Sequence, residues 1–402
     1  MSRQVYAHYM VGLTDQQQLS QWQKDISDAK AASIDGFALN IGPKDSWTTT
    51  QLDLAYQAAA SAGFKLFLSF DMQDGDNGKW DISQVVDFVN DYKGESAQVL
   101  VDGKPLVQTF EGKAWSGNWA SVREQTGGIY LVPNWSSLGP YGLKDYLDVI
   151  DGAFSWDAWP DANTNEMTTT DDVLYQSVLG DKPYMMGVSP YFYVNLPNWS
   201  KNWYSSSESL WYDRWQQVLS LMPESIEIIT WNDFSESSYI ADVVASQIVG
   251  GAETYVAGFD HSAFRAVLPY FIKAYKAGSW DAAVDDATAI AWYRTTSATL
   301  GSAGGTVWGQ GGSQLASVGA RDVVSVITVT TGETEVNLAI GDSKKTFKTD
   351  AASHVNYFEM PFDGALGNVS LSMNGESVTG WAITNTLPAS GYVNFNSYAI
   401  GL

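Results

Sequence analysis

Two carboxyl side chains three residues apart, Asp233 and Glu236, are the residues whose types and spacing best fit catalysis. They follow an apolar run at residues 226–230 and lie beside Trp231 and Asn232. A short β-branched run that ends in a polar, aromatic and acidic loop is typical of a buried parallel strand that delivers side chains to an active site. Two carboxyl groups beside aromatic rings suit cleavage of a glycosidic bond, where one protonates the leaving oxygen and the other activates water or attacks carbon.

The elements that must position these side chains are strands and helices that alternate over residues 1–280. The eight predicted strands cover residues 5–11, 36–41, 65–70, 106–110, 129–133, 152–156, 184–189 and 226–231. Eight βα units of this total length fit a (β/α)8 TIM barrel. A doubly wound open sheet is the alternative, but no Gly-rich phosphate-binding motif follows the first strand.

Helical patterns fill most of the gaps between these strands. Thr14 resembles the start of a capping box, with Trp22 and Ile26 on the apolar face of the helix that follows. Asp81 is a candidate cap for a helix over 82–92. Further helices are predicted at residues 54–62, 210–221 and 263–277.

The composition changes after Gly278, where Gly-rich loops precede short alternating strands. Predicted strands cover residues 322–330, 334–340, 344–349, 355–360, 369–373, 377–384 and 391–399. Short strands separated by Gly, Asn and Asp turns are typical of a β-sandwich. We therefore predict a catalytic barrel at 1–280 and a sandwich accessory domain at 281–402, with the chemistry in the barrel because most of the tryptophans lie there.

Carboxylates, amides and aromatic rings recur at the predicted strand ends, where a (β/α)8 barrel carries its active site. The candidate substrate-binding residues are His8, Tyr9, Asn40, Asp71, Glu111, Trp115, Asn134, Trp135, Trp156, Asp157, Trp159, Tyr191, Tyr193, Trp231 and Asn232. Aromatic faces can stack on sugar rings, and carboxylates and amides can bind sugar hydroxyls. No cluster of Lys or Arg accompanies them to hold a phosphate.

Each candidate also has a purely structural interpretation. Asp71 or Asp157 could cap the helix that follows, and any single tryptophan is more often part of a core than of a subsite. His8 is more simply explained as a hydrogen-bonded core histidine. Glu111, at the fourth strand end, is the rival to Asp233 and Glu236 for the catalytic role.

Charge and cysteine content exclude several classes of function. The chain has 45 acidic and 22 basic residues and a formal charge of −23, which disfavours nucleic acid and anionic membranes as partners but allows a neutral polysaccharide. The absence of cysteine excludes thiol nucleophiles, disulfides and Cys-ligated metals. With three histidines, a multi-His metal site is not expected, and we predict no metal and no cofactor.

Targeting features leave two locations open. The N-terminus leads directly into a strand without a visible signal peptide, and no apolar run reaches the ~20 residues of a membrane helix. The protein is therefore expected to be intracellular, or a mature secreted or cell-wall form with an added Met1. The sequons at Asn134, Asn198 and Asn368 support secretion weakly.

Five motifs carry a resemblance to a known family. They are VYAHYMVG at 5–12, IDGFALN at 34–40, FLSFD at 67–71, FSWDAW at 154–159 and TWNDFSE at 230–236. In these motifs, which span the whole predicted barrel in order, the chain resembles glycoside hydrolase family 71, the fungal endo-α-1,3-glucanases called mutanases. The predicted sandwich is similar to that family's accessory domain.

The resemblance implies a cofactor-free, inverting hydrolase of α-1,3-glucan, an insoluble fungal wall polymer. The family's catalytic Asp and Glu fall on Asp233 and Glu236. The shorter, cysteine-free chain resembles the yeast-type members used in cell separation or spore release. We expect a monomer whose partner is the polysaccharide.

For the mechanism we expect a single displacement, with Glu236 as general acid and Asp233 as general base. Inversion requires the two carboxyl groups to lie ~6.5–9.5 Å apart, with a water between them. Apolar neighbours such as Trp231 should raise the pKa of the acid. The alternatives are a retaining barrel glycosidase that acts on another glucan through Glu111, and a non-catalytic carbohydrate-binding protein.

Overall fold

The strands and helices of the chain are taken from a computed structural model, which describes residues 3–73 and 79–402. In these residues the strands are, in chain order, β1 (Gln4–Met10), β2 (Gly36–Ile41), β3 (Lys65–Asp71), β4 (Leu100–Val101), β5 (Lys104–Phe110), β6 (Tyr130–Leu131), β7 (Ala153–Ser155), β8 (Tyr184–Val188), β9 (Tyr193–Leu196), β10 (Lys201–Tyr204), β11 (Ser225–Ile228), β12 (Thr288–Tyr293), β13 (Val307–Trp308), β14 (Val323–Val329), β15 (Glu335–Ile340), β16 (Ser343–Lys348), β17 (Val355–Pro361), β18 (Gly367–Met373), β19 (Glu376–Ile383) and β20 (Tyr398–Gly401).

The α-helices are α1 (Leu19–Ala31), α2 (Thr48–Ala62), α3 (Ile82–Tyr92), α4 (Trp119–Thr126), α5 (Gly139–Gly142), α6 (Thr170–Leu179), α7 (Leu210–Leu221), α8 (Glu253–Val256), α9 (Leu268–Ala277) and α10 (Ala316–Gly319). Turns of 3-10 helix cover Val11–Leu13, Lys113–Asn118, Ser136–Leu138, Leu143–Tyr146, Pro197–Trp199, Phe234–Glu236, Ala245–Gln247 and Ser262–Val267. No helix in the described ranges has the length and apolar character needed to cross a membrane.

The chain divides into two compact units that interleave along the sequence. The first unit comprises Met1–Ala158, Thr169–Val188 and Leu221–Trp231, and the second comprises Trp159–Thr168, Ser189–Ser220 and Asn232–Leu402. The domains 1–280 and 281–402 stay a prediction about the organisation of the sequence.

A parallel sheet forms the centre of the first unit, and each of its eight parallel strands overlaps one predicted strand. The order is β5-β3-β2-β1-β11-β8-β7, with β6 on the other side of β5 and the short β4 antiparallel to β5. Asn134 forms parallel bridges to Phe110, at the end of β5, and to Phe154 in β7. These bridges show that the sheet is curled. With the helices between its strands, the chain has a mixed α/β fold.

A hydrogen bond across the curled sheet demonstrates the same curvature. The Gln108 side chain on β5 donates to Glu227 Oε2 on β11 at 2.6 Å. Strands β3, β2 and β1 separate β5 from β11 in the sheet, so these side chains can meet only where the sheet bends round. This arrangement places buried polar groups on the inner face of the sheet.

Helix ends show where the sequence patterns succeeded and where one failed. Asp81 and Gln84 form the capping box of α3, and its range agrees with the prediction. The capping box predicted at Thr14 is wrong, because α1 begins at Leu19 and the Thr14 hydroxyl donates to Val11 O at 2.7 Å. Thr14 thus ends the preceding 3-10 turn instead of starting a helix.

The last helix begins later than predicted. Residues 262–267 form a 3-10 helix, and α9 starts at Leu268 with a proline in its first turn. Proline has no N–H to donate to the preceding turn, but it fits the first turn of an α-helix. The ring therefore separates the two helical segments.

Asp25 on α1 is a buried carboxyl in the layer between β1 and the helix. It accepts hydrogen bonds from the Tyr9 hydroxyl at 2.7 Å and from the Gln21 amide at 2.9 Å. Burial raises the pKa of Asp25 to about 6, although both hydrogen bonds act in the opposite direction. Since the folded pKa exceeds the ordinary value of 3.8, the folded state binds the proton more tightly than the unfolded chain.

We expect Asp25→Asn to stabilise the protein at neutral pH. The contribution of Asp25 to the free energy of unfolding increases as the pH falls from about 7 to about 4, and the neutral amide removes this dependence. The variant should gain about 1–2 kcal/mol at pH 7 in urea unfolding and match the wild type near pH 4. Asp28→Asn, on the same helix but ion-paired with Lys24, is the control. A variant less stable than the wild type at pH 7 would contradict the prediction.

The second unit contains three sheets. One has the order β13-β10-β9, and the other two are antiparallel, with the orders β17-β14-β12-β20 and β16-β15-β18-β19. Buried side chains from both antiparallel sheets form a single hydrophobic cluster, which includes Ala291, Val326, Met360, Leu338 and Leu371. All seven strands predicted after residue 320 overlap observed strands, although the last of them does so only at Tyr398 and Ala399.

The observed strands of this unit differ from the predicted strands in two places. The strand predicted at 391–399 begins too early, because the observed strand covers only Tyr398–Gly401. The preceding buried residues are irregular, and the side chains of Asn394 and Asn396 both donate to the Tyr255 carbonyl. Strand β12, whose six residues are all buried, was not predicted.

Candidate active site

The loop after β11 carries Asp233 and Glu236, the candidate catalytic pair. Asp233 caps the 3-10 turn Phe234–Glu236, and its Oδ1 accepts from the Ser235 hydroxyl at 2.6 Å and from the Glu236 backbone N–H at 3.1 Å. A capping carboxylate fixes both its own position and the direction of the turn. The Asp233 side chain is half-buried and thus remains accessible to a substrate.

Glu236 has a cationic neighbour that was not among the predicted site residues. Its Oε1 lies 2.8 Å from Nζ of Lys201 on β10. The Glu236 side chain is 12% exposed and that of Lys201 is 46% exposed, so the ion pair lies at the edge of solvent. An adjacent ammonium favours the ionised form of a carboxyl group.

Buried tyrosines lie next to this loop, and one of them donates a hydrogen bond to its backbone. The Tyr255 hydroxyl donates to Ser235 O at 2.6 Å, and Tyr193 packs edge-on against the Tyr255 ring. Burial raises the pKa of Tyr193 to about 12. Tyr191 is also buried, and its hydroxyl donates to Phe395 O at 2.7 Å. Tyr193 thus contacts the tyrosine that bonds to the loop, whereas Tyr191 is bonded to Phe395, and the role of both in substrate binding stays a prediction.

The predicted neighbours Trp231 and Asn232 are also supports. Trp231 is fully buried, with its ring 5.0 Å from that of Phe37, and Phe37 in turn packs against Tyr9. Tyr9 is fully buried, and its hydroxyl donates a hydrogen bond to Asp25. The Asn232 amide donates to Gln247 at 3.0 Å. Tyr9, Trp231 and Asn232 therefore each have structural contacts, and their roles as substrate contacts, like the effect of Trp231 on the pKa of the acid, stay predictions.

Glu111 follows β5 in the first unit and is the strongest rival carboxylate. Its backbone lies in the left-handed region with φ 52°, and its Oε1 and Oε2 accept from the Ser137 N–H at 2.9 Å and the Ser137 hydroxyl at 2.5 Å. Asp71, at the end of β3, accepts from the Gln73 N–H at 3.1 Å. Both carboxylates thus accept hydrogen bonds from backbone N–H groups, Asp71 from one two residues away and Glu111 from one 26 residues away.

His8 belongs to a buried polar network on the inner face of the sheet. Its Nδ1 lies 2.7 Å from Glu227 Oε1, and Glu227 also accepts from Gln108. The Trp156 ring packs edge-on against His8 with the ring centres 4.8 Å apart. His8 is 1% exposed, whereas Trp156 is half-buried. His8 therefore links the buried network to a side chain that reaches the surface.

Glu227 and Gln108 were not among the predicted site residues. Glu227 lies in the apolar run of β11 and looks isolated in sequence, because its partners His8 and Gln108 lie on the distant segments β1 and β5. A single acidic residue in an otherwise apolar strand is the signal that could have identified it, because a buried carboxylate requires partners.

The remaining candidates differ in accessibility. Trp115, Trp156, Asp157 and Trp159 are half-buried and can present a face or an edge to a ligand. The other three, Asn40, Asn134 and Trp135, are buried. Across the described residues, no group of three or more His, Asp or Glu side chains is arranged to hold a metal ion.

Comparison with known protein families assigns the chain to one of them. The model of glycosyl hydrolase family 71 matches residues 1–402. The chain belongs to glycosyl hydrolase family 71. It is therefore a glycoside hydrolase, as its two loop carboxylates suggested.

Curated relatives support the family assignment. The family 71 chain is 35% identical over 419 residues to a glucan endo-1,3-alpha-glucosidase of Schizosaccharomyces pombe, covering 98% of this chain and 94% of the relative. It is 35% identical to a mutanase of Penicillium rubens, over 84% of this chain and 75% of the relative. An ascus wall endo-1,3-alpha-glucanase of S. pombe is 30% identical over 68% of this chain and 67% of the relative.

Among solved structures, the family 71 chain is similar in fold to the GH99 endo-alpha-mannosidase of Bacteroides thetaiotaomicron. The TM-score is 0.54 with 14% identity, over 68% of this chain and 98% of the other. At this level of identity the similarity concerns the fold alone, and it agrees with the curled parallel sheet.

Proposed function

We propose that this protein hydrolyses α-1,3-glucosidic bonds within the α-1,3-glucan of fungal cell walls. The observation that carries the proposal is the rigid loop that presents Asp233 and Glu236, in a chain of a family whose curated relatives are named as α-1,3-glucanases. The candidate pair lies in one turn with different hydrogen-bond partners, which suits two carboxylates with different roles.

The proposed reaction is a single displacement with inversion. Glu236 gives its proton to the glycosidic oxygen, and the bond between that oxygen and the anomeric carbon breaks. A water on the opposite face of the sugar attacks that carbon, while Asp233 accepts the proton of the water. The turn and its tyrosine supports preorganise both groups, so that little reorganisation is needed during the reaction.

The proposed substrate contacts are the accessible candidates. Trp115, Trp156 and Trp159 offer aromatic surface to sugar rings, and Asp71, Glu111 and Asp157 offer acceptors to hydroxyls. The buried residues His8, Asn40, Asn134 and Trp135 position those side chains. In this proposal Asp233 and Glu236 keep the catalytic role, and Glu111 is retained for binding because its carboxylate is already bonded to Ser137.

We further propose that the curled parallel sheet is a closed (β/α)8 barrel and that the two antiparallel sheets form a β-sandwich. Asn134, which bridges both edges of the sheet order, supports closure of the barrel. The shared hydrophobic cluster supports the sandwich. The proposed domains are 1–280 and 281–402.

For the biological setting, we propose a monomeric enzyme that acts at the fungal cell wall in cell separation or wall remodelling. The relatives support this setting, since one of them is named as an ascus wall enzyme.

The test is incubation of the purified protein with insoluble α-1,3-glucan and measurement of released reducing ends, with α-1,4-glucan and β-1,3-glucan as matched substrates. We expect release of short oligosaccharides from the α-1,3-glucan alone. Release from another glucan would instead favour the retaining glycosidase. Binding to glucan without any release would favour the carbohydrate-binding protein.

A further inference from the structure

We propose that Lys201 is a positioning residue that controls the protonation of Glu236 and thereby limits turnover to acidic pH. This inference rests on the proposed function, because it assigns Lys201 a role in that reaction. Neither the loop motif nor the strand-end pattern includes this lysine, which lies 35 residues before Glu236 in the chain.

The backbone around Lys201 is fixed, whereas its ammonium group reaches solvent. Lys201 pairs with Leu196 across the β9–β10 hairpin. The next residue, Asn202, donates to Gly304 O at 3.1 Å and accepts from the Thr306 hydroxyl at 2.7 Å. Strand β9 lies against the Phe234–Glu236 turn. The hairpin thus aims the ammonium at Glu236, with Nζ 2.8 Å from Oε1.

The other titratable groups around the turn also bear on the ionisation of Glu236. Asp233 caps the backbone N–H of Glu236, and its negative charge opposes ionisation of the second carboxyl group. Tyr255 donates to Ser235 O, and Tyr193 on β9 packs against Tyr255. Burial raises the pKa of Tyr255 above its ordinary value, so this phenol stays neutral. Lys201 therefore supplies a positive charge that offsets Asp233.

This charge has opposite effects before and after proton transfer. A general acid must carry its proton when the substrate binds, and the ammonium makes that state less populated as the pH rises. Once the proton has passed to the glycosidic oxygen, the same ammonium stabilises the Glu236 carboxylate that remains. Lys201 thus lowers the pH range of activity while it assists bond cleavage within that range.

The experiment is a pH–rate profile of Lys201→Met on a soluble α-1,3-gluco-oligosaccharide, which avoids effects of adsorption to solid glucan. We expect the alkaline limb of kcat/KM to move up by about 0.5–1 pH unit, a shift reduced by the solvent exposure of the ammonium. The maximal kcat should fall several-fold. Lys201→Arg should keep the wild-type profile. Lys348→Met removes an exposed lysine paired with Glu333 and is the matched control.

Two results would overturn the inference. An unchanged profile in Lys201→Met would make the lysine a purely structural contact. A shift of the acidic limb of the pH–rate profile would identify Glu236 as the general base. It would overturn the proposal that Lys201 controls the protonation of a general acid. Lys201→Gln, measured in parallel with thermal unfolding, gives the same comparison if the Met variant folds poorly. Failure of the proposed function is distinct, because the wild type would then not cleave the oligosaccharide at all.

Discussion

Asp233→Asn and Glu236→Gln are each expected to reduce kcat on α-1,3-glucan by about 10³-fold and to leave the fold intact. The amide of Asn can still accept from the Ser235 hydroxyl and the Glu236 N–H, so the turn keeps its cap. Glutamine at 236 keeps an acceptor for Lys201. Each variant thus loses proton transfer without losing its structural contacts.

The measurement is the initial rate of reducing-end release, together with the thermal unfolding midpoint of each variant. Glu253→Gln is the matched control, because Glu253 accepts only a local backbone N–H among its described hydrogen bonds and has no role in the proposed reaction. Near wild-type activity in either active-site variant would transfer the catalytic role to Glu111 and Asp71.

The second large effect is expected on stability. Glu227→Leu should lower the free energy of unfolding by about 3–5 kcal/mol, because it leaves the buried His8 imidazole and Gln108 amide without the carboxylate that joins them. It should also reduce activity, since His8 contacts the Trp156 ring. Urea unfolding at pH 7 measures the first effect.

Glu227→Gln separates the hydrogen bonds from the charge. The carbonyl of the new glutamine can accept from His8. Its NH₂ can donate to Gln108 Oε1 after a flip of the Gln108 amide, because that oxygen has no hydrogen-bond partner in the described residues. We expect this variant to recover at least half of the lost stability. A Leu variant as stable as the wild type would show that the network does not stabilise the sheet.

The alternation of strands and helices in the first 231 residues was predictable because each parallel strand is a short apolar run between polar turns. The face that each side chain occupies was harder to predict. His8 and Tyr9 are neighbours on β1 and must point to opposite sides of the sheet. His8 faces the Glu227 network and Tyr9 faces Asp25 on α1. A list of residues at strand ends does not separate these two faces.

Long-range partners of the site were not predictable from local patterns. The hairpin of β9 and β10 was not predicted, so Lys201 could not be placed beside Glu236. The candidate catalytic loop could be identified from the sequence because both of its carboxyl groups lie within one short segment. The residues that hold and tune that loop come from distant parts of the sequence.

The most direct test of the central claim, inverting hydrolysis through Asp233 and Glu236, is the anomeric form of the first product. Proton NMR of an α-1,3-glucan digest in the first minutes, before mutarotation, would identify it. We predict the β-anomer, which requires a water between the two carboxylates. An initial α-anomer would mean retention, and would contradict the assignment of Asp233 as the base that activates water.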